Sequence, residues 1–282
     1  MLNSYFLKRC IQHISNKSFY SFLKNGINHL LYILNPNKIS EFPFSHFFKK
    51  KRILNKKFIK ENLKEFDSVK FDNYFNYRLK TDLIPKNPII YSFGIGGQIN
   101  FELEILRHFE EAKIYCYDPT STEFIKNFKL SKNIKLIPYG IWVEDKKIPF
   151  FLNRPGGVGS ATDYYGKLYN TIDHFQCYTL KTLMQMNNDK KVDILKIDIE
   201  GAAIEVINQI LDVKIFPTQI AAEFEFTEND NLTNEEKIEY VFFKKKLINL
   251  INRMKKLNYS CYNNPRIIKP YAAIEIIFTK NS

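Results

Sequence analysis

From residue 88 onward, short apolar runs alternate with stretches of helical spacing, and this alternation restricts the possible folds more than any other feature. Strands that alternate with helices pair in parallel through right-handed crossovers, which produces a doubly wound sheet. Two last strands are expected to close the chain as an antiparallel pair, so the predicted class is α/β. The predicted strands lie at 89–93, 113–117, 134–137, 192–197, 218–224, 259–262 and 272–278, and the predicted helices at 101–109, 121–128, 180–186, 201–211 and 235–257. A hairpin is also predicted between 141–143 and 148–152.

The chain before residue 86 differs from the rest in charge and in pattern. Residues 1–85 carry 16 Lys and Arg against 6 Asp and Glu, whereas residues 86–282 carry 26 against 24. Apolar residues recur at helical spacing within 1–34, but lysine and arginine interrupt them, unlike the continuous apolar run of a signal peptide or a membrane-spanning helix. Ile84-Pro85 and Asn87-Pro88 then break the pattern. We therefore predict a basic, mainly helical region at 1–85 and a Rossmann-like domain at 86–282.

Charge and cysteine usage bear on the partners and the compartment. The positive charge concentrated in 1–85 suits an anionic partner, such as a charged glycan or the inner face of a membrane, to which the chain would bind peripherally. The four cysteines are far apart and have no zinc-binding spacing with the five histidines. We therefore expect reduced thiols, no bound metal and a cytoplasmic location.

A glycine-rich turn follows the first strand of the domain. Phe93-Gly94-Ile95-Gly96-Gly97 stands between a predicted strand and a predicted helix, where doubly wound sheets bind ligands. Glycine permits positive φ and a close approach of the backbone to a ligand, so the turn indicates either a nucleotide-like cofactor or simply a tight turn. A dinucleotide site usually has a third glycine at the position that Ile99 occupies here.

A carboxylate, Asp118, closes the second strand a little over twenty residues after the glycines. It can accept hydrogen bonds from both hydroxyls of a ribose, or it can cap a helix or form a turn with Pro119. Because the glycine turn and this carboxylate follow consecutive strands in the expected order, we interpret them as one cofactor site.

Two more carboxylates, Asp198 and Glu200, follow the fourth strand at the same edge of the predicted sheet. They are either a helix cap and a charge in the first turn, which suit a helix N-terminus, or groups that contact the cofactor and the acceptor. Lys196 favours the second interpretation, since it lies in an otherwise apolar strand and needs a polar partner or a route to solvent.

The segment Leu195–Gly201, which reads LKIDIEG, resembles the hallmark of the FkbM-type methyltransferases (Methyltransferase 21). Supporting matches, in the expected order, are Phe93–Gly96, Tyr117–Thr120, Gly156–Ala161, Tyr178–Leu180 and Ala222–Phe224. The similarity covers about 88–230 and not the basic N-terminal region. Two positions depart from the family: Asp118 stands where glutamate is common, and Glu225 where relatives often have a histidine.

This resemblance implies a class I methyltransferase fold, S-adenosyl-L-methionine as the cofactor, and O-methylation of a hydroxyl on a sugar, a surface glycan or a related metabolite. A hydroxyl is a poor nucleophile until its proton is leaving, so a nearby base is useful. We assign catalysis to Asp198, Glu200 and Glu223. Cofactor binding is assigned to Phe93, Gly94, Ile95, Gly96, Gly97, Asp118, Pro119, Gly140 and Asp198, and acceptor binding to Arg154, Ser160, Tyr164 and His174.

Two other functions stay open from the sequence. One is another Rossmann enzyme, such as an NAD-dependent nucleotide-sugar enzyme, although Ile99 and the lack of a Tyr-x-x-x-Lys pair disfavour it: Tyr165 is followed by Tyr169. The other is a non-catalytic glycan- or membrane-associated protein with the same fold. Enzymes that methylate nucleic-acid amino groups usually carry Asn/Asp-Pro-Pro-aromatic after the fourth strand, where this chain has Asp198–Gly201, so we expect no nucleic-acid partner.

Overall fold

The computed structural model of the chain describes residues 58–64, 71–74, 77–120, 130–152, 159–161, 171–225, 234–264 and 273–281. The helices predicted within 1–34 and at 121–128 lie outside these residues. In the part that is described, no helix combines the length and the apolar character needed to span a membrane. Cys116, Cys177 and Cys261 are buried free thiols.

The described part of the chain contains thirteen strands and four helices of seven residues or more. The strands are β1 (Asp72–Tyr74), β2 (Tyr77–Leu79), β3 (Ile89–Phe93), β4 (Lys113–Tyr117), β5 (Ile134–Ile137), β6 (Gly140–Ile141), β7 (Lys146–Leu152), β8 (Gly159–Ser160), β9 (Thr171–Tyr178), β10 (Ile194–Ile197), β11 (Gln219–Glu225), β12 (Tyr259–Asn264) and β13 (Ala273–Lys280). The helices are α1 (Asn100–His108), α2 (Leu180–Met186), α3 (Ala203–Asp212) and α4 (Asn234–Lys256). Residues 58–62 are helical and Thr81–Leu83 form a 3-10 turn.

A seven-stranded sheet of order β12-β13-β11-β10-β3-β4-β5 forms the centre of the fold. β11, β10, β3, β4 and β5 are parallel, while β13 runs antiparallel to both β11 and β12. From β3 the chain continues on one side through β4 to β5, and later adds β10 on the other side of β3. The strand order therefore switches between β3 and β10, and doubly wound sheets bind ligands at such a switch. The sheet confirms the predicted doubly wound α/β fold with its antiparallel C-terminal pair.

A second sheet, of order β6-β9-β7-β8, corrects the predicted hairpin between 141–143 and 148–152. β6 pairs in parallel with β9, and β7 pairs antiparallel with β9 along its whole length, so β9 separates the two. The bend between β6 and β7 is tied to the start of α2: the Asp145 carboxylate accepts hydrogen bonds from Thr179 N (2.7 Å) and Thr182 Oγ1 (2.6 Å). β9 has eight residues, whereas β6 has two. β7 therefore pairs with β9 over more backbone than β6 could offer it.

Both faces of the central sheet are covered, because successive side chains of a strand point to opposite faces. On one face, side chains such as Phe93 and Leu195 pack with α3 and α4. On the other, Ile90 and Ile194 pack with α1 and with the hairpin of β1 and β2. The described residues before 86 therefore share the core of the sheet. The predicted division into a basic region at 1–85 and a domain at 86–282 stays a prediction.

Candidate active site

The turn between β3 and α1 depends on glycine at one position above all. Gly94, Gly96 and Gly97 have φ of +72°, +54° and +77°, a region that residues with a side chain rarely adopt. A Cβ on Gly94 would lie 1.7 Å from the carbonyl oxygen of Asp198, and the Gly94 amide donates to Tyr117 O at 3.0 Å. The ends of β3, β4 and β10 thus meet at Gly94 with no room for a side chain.

The Asp118 carboxylate joins this turn to the end of β4. It is 5% exposed, and its Oδ2 accepts a hydrogen bond from Gly96 N at 2.8 Å. Its Oδ1 accepts from the amide and the hydroxyl of Thr120, both at 2.8 Å. Hydrogen bonds to an ionised acceptor are strong, so these three fix the carboxylate in one orientation.

A cavity of about 370 Å³ opens at these strand ends, within the range of small-molecule sites. Asp198 and Glu200 line it just after β10, Phe150 lines it from β7, and Ala161 lines it just after β8. Of the residues predicted to bind the cofactor, all but Gly97 line this cavity: Phe93, Gly94, Ile95, Gly96, Asp118, Pro119, Gly140 and Asp198. Eight of the nine residues that the sequence assigns to one cofactor site thus lie around one cavity.

The loop after β10 has an uncommon backbone. Glu200 has φ of +50° and the next residue, Gly201, has φ of +88°. A left-handed conformation costs a residue with a side chain about 1–2 kcal/mol, so it persists where the surrounding structure imposes it, often at functional sites. The preceding Asp198 amide donates to Phe93 O at 3.2 Å and holds the loop against the end of β3.

Lys196 has the polar partners that its place in an apolar strand requires. It is 5% exposed, and its Nζ lies 3.1 Å from Gly94 O and 3.5 Å from Phe93 O. The same Nζ lies 4.0 Å from Asp198 Oδ2 and 5.5 Å from the ring centre of Tyr77. A buried ammonium thus supports the glycine turn from beneath and places positive charge beside a carboxylate of the cavity.

Glu102, on α1, is buried behind this ammonium and accepts a hydrogen bond from the Ser92 hydroxyl. Burial raises the pKa of Glu102, and the positive charge of Lys196 and the bond from Ser92 offset part of that rise. Above the pKa in the unfolded chain, about 4.3, the unfolded chain has lost a proton that the folded protein still holds. The free energy of unfolding should therefore fall as pH rises up to the pKa in the folded state, by at most about 1.4 kcal/mol per pH unit.

Urea denaturation at stepped pH measures this effect, with Glu102→Gln as the reference because glutamine does not titrate. We expect the free energy of unfolding of Glu102→Gln not to show the fall with rising pH that the wild type shows. Equal slopes in the two proteins would contradict the assignment to Glu102.

The other predicted site residues either do not line the cavity or are not described by the structure. Glu223 is buried within β11 opposite Glu275 of β13, and His174 is exposed on β9 opposite Pro149; neither lines the cavity. Ser160 belongs to β8, and the structure does not describe its side chain; Arg154 and Tyr164 lie outside the described residues. The roles assigned to these residues stay predictions.

Sequence reasoning missed Tyr77. Its hydroxyl donates a hydrogen bond to Asp198 Oδ2 at 3.1 Å, across 121 residues of sequence. The hairpin that carries it falls in the region predicted to lie outside the domain. Its sequence has no functional motif, and only the apolar alternation of Tyr77 and Leu79 hints at a buried strand.

The Methyltransferase FkbM domain, a protein family defined by its sequence, matches residues 37–261 of this chain. The chain belongs to the FkbM methyltransferases. The match begins at residue 37, so the extent predicted from the resemblance, 88–230, is too short and wrongly leaves out part of the N-terminal region. FkbM methyltransferases use S-adenosylmethionine, and this chain is accordingly an S-adenosylmethionine-dependent methyltransferase. The NAD-dependent enzyme and the non-catalytic protein are thereby set aside.

Several solved structures resemble this FkbM methyltransferase at low sequence identity, whereas no curated protein matches its sequence. Precorrin-6y C5,15-methyltransferase of Geobacter metallireducens is 12% identical with a TM-score of 0.34, over 70% of this chain and 81% of that one. The plantazolicin methyltransferase BpumL is 10% identical with a TM-score of 0.37, over 97% and 94%. Fibrillarin of Aeropyrum pernix, with natively bound S-adenosyl-L-methionine, is 12% identical with a TM-score of 0.36, over 70% and 69%. Similarities this distant assign no substrate.

Proposed function

We propose that this FkbM methyltransferase transfers a methyl group to a hydroxyl of a sugar, a surface glycan or a related metabolite. The observation that carries the proposal is the placement of Asp198 and Glu200 in the same cavity as the Gly94 turn and Asp118. A hydroxyl must lose its proton to be methylated, and a carboxylate beside the reacting oxygen can take that proton. The LKIDIEG segment that supplies both carboxylates is also the one that resembles the family hallmark.

The cavity residues suit the parts of S-adenosylmethionine. When bound, this cofactor supplies a methyl group on a positively charged sulfur. We assign Asp118 to the ribose. Its Oδ1 accepts two hydrogen bonds from Thr120, whereas its Oδ2 accepts one from Gly96 and so has a lone pair left for a ribose hydroxyl. Because its glycines have no side chains, the Gly94 turn allows the cofactor to approach the backbone closely. Asp198 supplies negative charge for the cationic methionine end.

Glu200 is our candidate for the general base. Methyl transfer is an in-line displacement, so holding the acceptor oxygen in line accelerates it strongly. In this proposal Glu200 would take the proton of the acceptor hydroxyl as its oxygen received the methyl group that the bound cofactor would supply, with the carbon–sulfur electron pair left on the sulfur of the product. The loop conformation, with Glu200 at φ of +50°, fixes the backbone from which the carboxylate reaches the cavity that it lines.

Glu200→Gln should retain the affinity for S-adenosylmethionine while turnover falls about 100- to 10,000-fold, the usual contribution of a general base. Calorimetry measures the affinity, and transfer of a labelled methyl group measures the turnover. Glu205→Gln is the matched control, because it removes the same charge five residues later, where Glu205 pairs with Lys246 on the surface of α3. Near-normal turnover of Glu200→Gln would remove Glu200 as the base.

The acceptor class is tested with labelled S-adenosylmethionine and a panel of mono- and oligosaccharides beside acceptors that offer only amines or only carboxylates. A methyl ether on a sugar survives mild alkali, whereas a methyl ester is hydrolysed. Label that stays on a saccharide after alkali supports the proposal. Label found only on amine or carboxylate acceptors would contradict it.

We further propose a cytoplasmic enzyme that binds the inner face of a membrane peripherally, near its glycan acceptor. Residues 1–85 contain 16 basic and 6 acidic residues. Clustered basic residues are attracted to anionic lipid, and this charge supports the proposal. The basic run Lys49–Arg52 lies outside the described residues. If replacing it with glutamines left sedimentation with anionic liposomes unchanged, its part in membrane binding would be refuted.

A further inference from the structure

Tyr77 reaches the active site from beneath the cavity. It is the first residue of β2 and is 2% exposed, and its ring packs edge-on against Phe101 of α1, with ring centres 5.0 Å apart. Its hydroxyl donates to Asp198 Oδ2 at 3.1 Å, yet Tyr77 itself does not line the cavity. The tyrosine thus contacts a cavity carboxylate from the side that a ligand does not reach.

Asp198 therefore has one fixed oxygen. Oδ2 accepts the Tyr77 hydroxyl and lies 4.0 Å from Lys196 Nζ, whereas no described residue forms a hydrogen bond with Oδ1. The side chain is 23% exposed and lines the cavity. A short carboxylate that is held through one oxygen presents the other in a defined direction, which reduces the ordering that ligand binding requires.

We propose that Tyr77 is a positioning residue of the cofactor site, which orients Asp198 through this hydrogen bond with Lys196 as the second support. The inference rests on the proposed role of Asp198 at the cationic end of the cofactor. It assigns a function to the β1–β2 hairpin: the hairpin covers one face of the sheet and also delivers the hydroxyl that sets the direction of a cavity carboxylate.

A double-mutant cycle tests this proposal with Tyr77→Phe, Asp198→Asn and the combined variant, each titrated with S-adenosylmethionine by calorimetry. Tyr77→Phe removes only the hydroxyl and keeps the ring against Phe101. We expect it to weaken binding about 5- to 10-fold, which is less than the loss of a direct hydrogen bond between a charged group and the cofactor, because Tyr77 acts on the cofactor only through Asp198. In the Asp198→Asn background the same change should alter affinity less than about twofold, because the charged acceptor is gone.

The matched control is Tyr74→Phe. Tyr74 lies on the same hairpin, is also buried, and its hydroxyl bonds to Thr81 Oγ1 at 2.9 Å, away from the cavity. Loss of the Tyr74 hydroxyl should lower the melting temperature without changing the affinity for S-adenosylmethionine. A purely structural role of Tyr77 would make the two variants behave alike, with equal effects of Tyr77→Phe in both Asp198 backgrounds, and this result would overturn the proposal.

Lys196→Met provides a second cycle that leaves the hairpin intact and tests Lys196 as the second support of Asp198. It should also couple to Asp198→Asn, and additive effects would remove Lys196 as a support. If Asp198→Asn alone leaves the affinity unchanged, the proposed role of Asp198 fails. If Asp198→Asn weakens binding and Tyr77→Phe does not, only the positioning role fails.

Discussion

Gly94→Ala is expected to lower the free energy of unfolding by about 3 kcal/mol or more and to abolish measurable binding of S-adenosylmethionine. The new Cβ would lie 1.7 Å from the carbonyl oxygen of Asp198, and that oxygen belongs to backbone, so it cannot rotate away as a flexible side chain would. Overpacking of this kind costs about 1–3 kcal/mol, and the φ of +72° adds about 1–2 kcal/mol for a residue with a side chain. Urea denaturation and calorimetry measure the two effects.

Gly96→Ala separates the contact from the backbone conformation. Gly96 also has positive φ, +54°, but a Cβ there would meet no atom within 4 Å. This variant should therefore lose only about 1–2 kcal/mol of stability. Equal losses at the two glycines would show that the conformation of the turn, and not the close approach of β10, makes glycine necessary at 94.

The strands of the central sheet could be predicted because most of them are compact apolar runs. Ile89–Phe93 ends at a glycine and Lys113–Tyr117 at Asp118, and the predicted bounds of the described elements of this domain agree with the structure to within two residues. The second sheet could not be predicted in the same way. β6 is two residues long and pairs with β9, a partner more than thirty residues later, and no local pattern encodes that pairing.

The candidate site followed from one rule, that the carboxyl ends of parallel strands meet at one edge. The rule placed Gly94, Asp118 and Asp198 together. The same rule also assigned Glu223 to the site, but Glu223 does not line the cavity, because β13 pairs antiparallel with β11 as far as Glu225 and keeps Glu223 inside the sheet. Tyr77 was beyond prediction, since its contact depends on where a hairpin docks on the finished sheet.

Asp118→Ala should weaken binding of S-adenosylmethionine by at least about 100-fold. The ribose would lose a charged acceptor, and one hydrogen bond to a charged group contributes about 1.5–3 kcal/mol. The change would also leave the amides of Gly96 and Thr120 without their acceptor, so the turn itself would lose its tie to β4. Calorimetry at a temperature at which the variant is folded measures the affinity.

The loss of a buried carboxylate also destabilises a protein, so the effect on binding requires a matched control, and Asp193→Ala supplies it. Asp193 is 4% exposed and accepts hydrogen bonds from Ile89 N and Lys191 Nζ, both at 2.8 Å, but it precedes β10 and lies at the opposite edge of the sheet. Both variants should melt at lower temperature than the wild type, and only Asp118→Ala should lose the cofactor. Retained affinity in Asp118→Ala would place the ribose elsewhere, and an equal loss in Asp193→Ala would reduce the effect at 118 to general destabilisation.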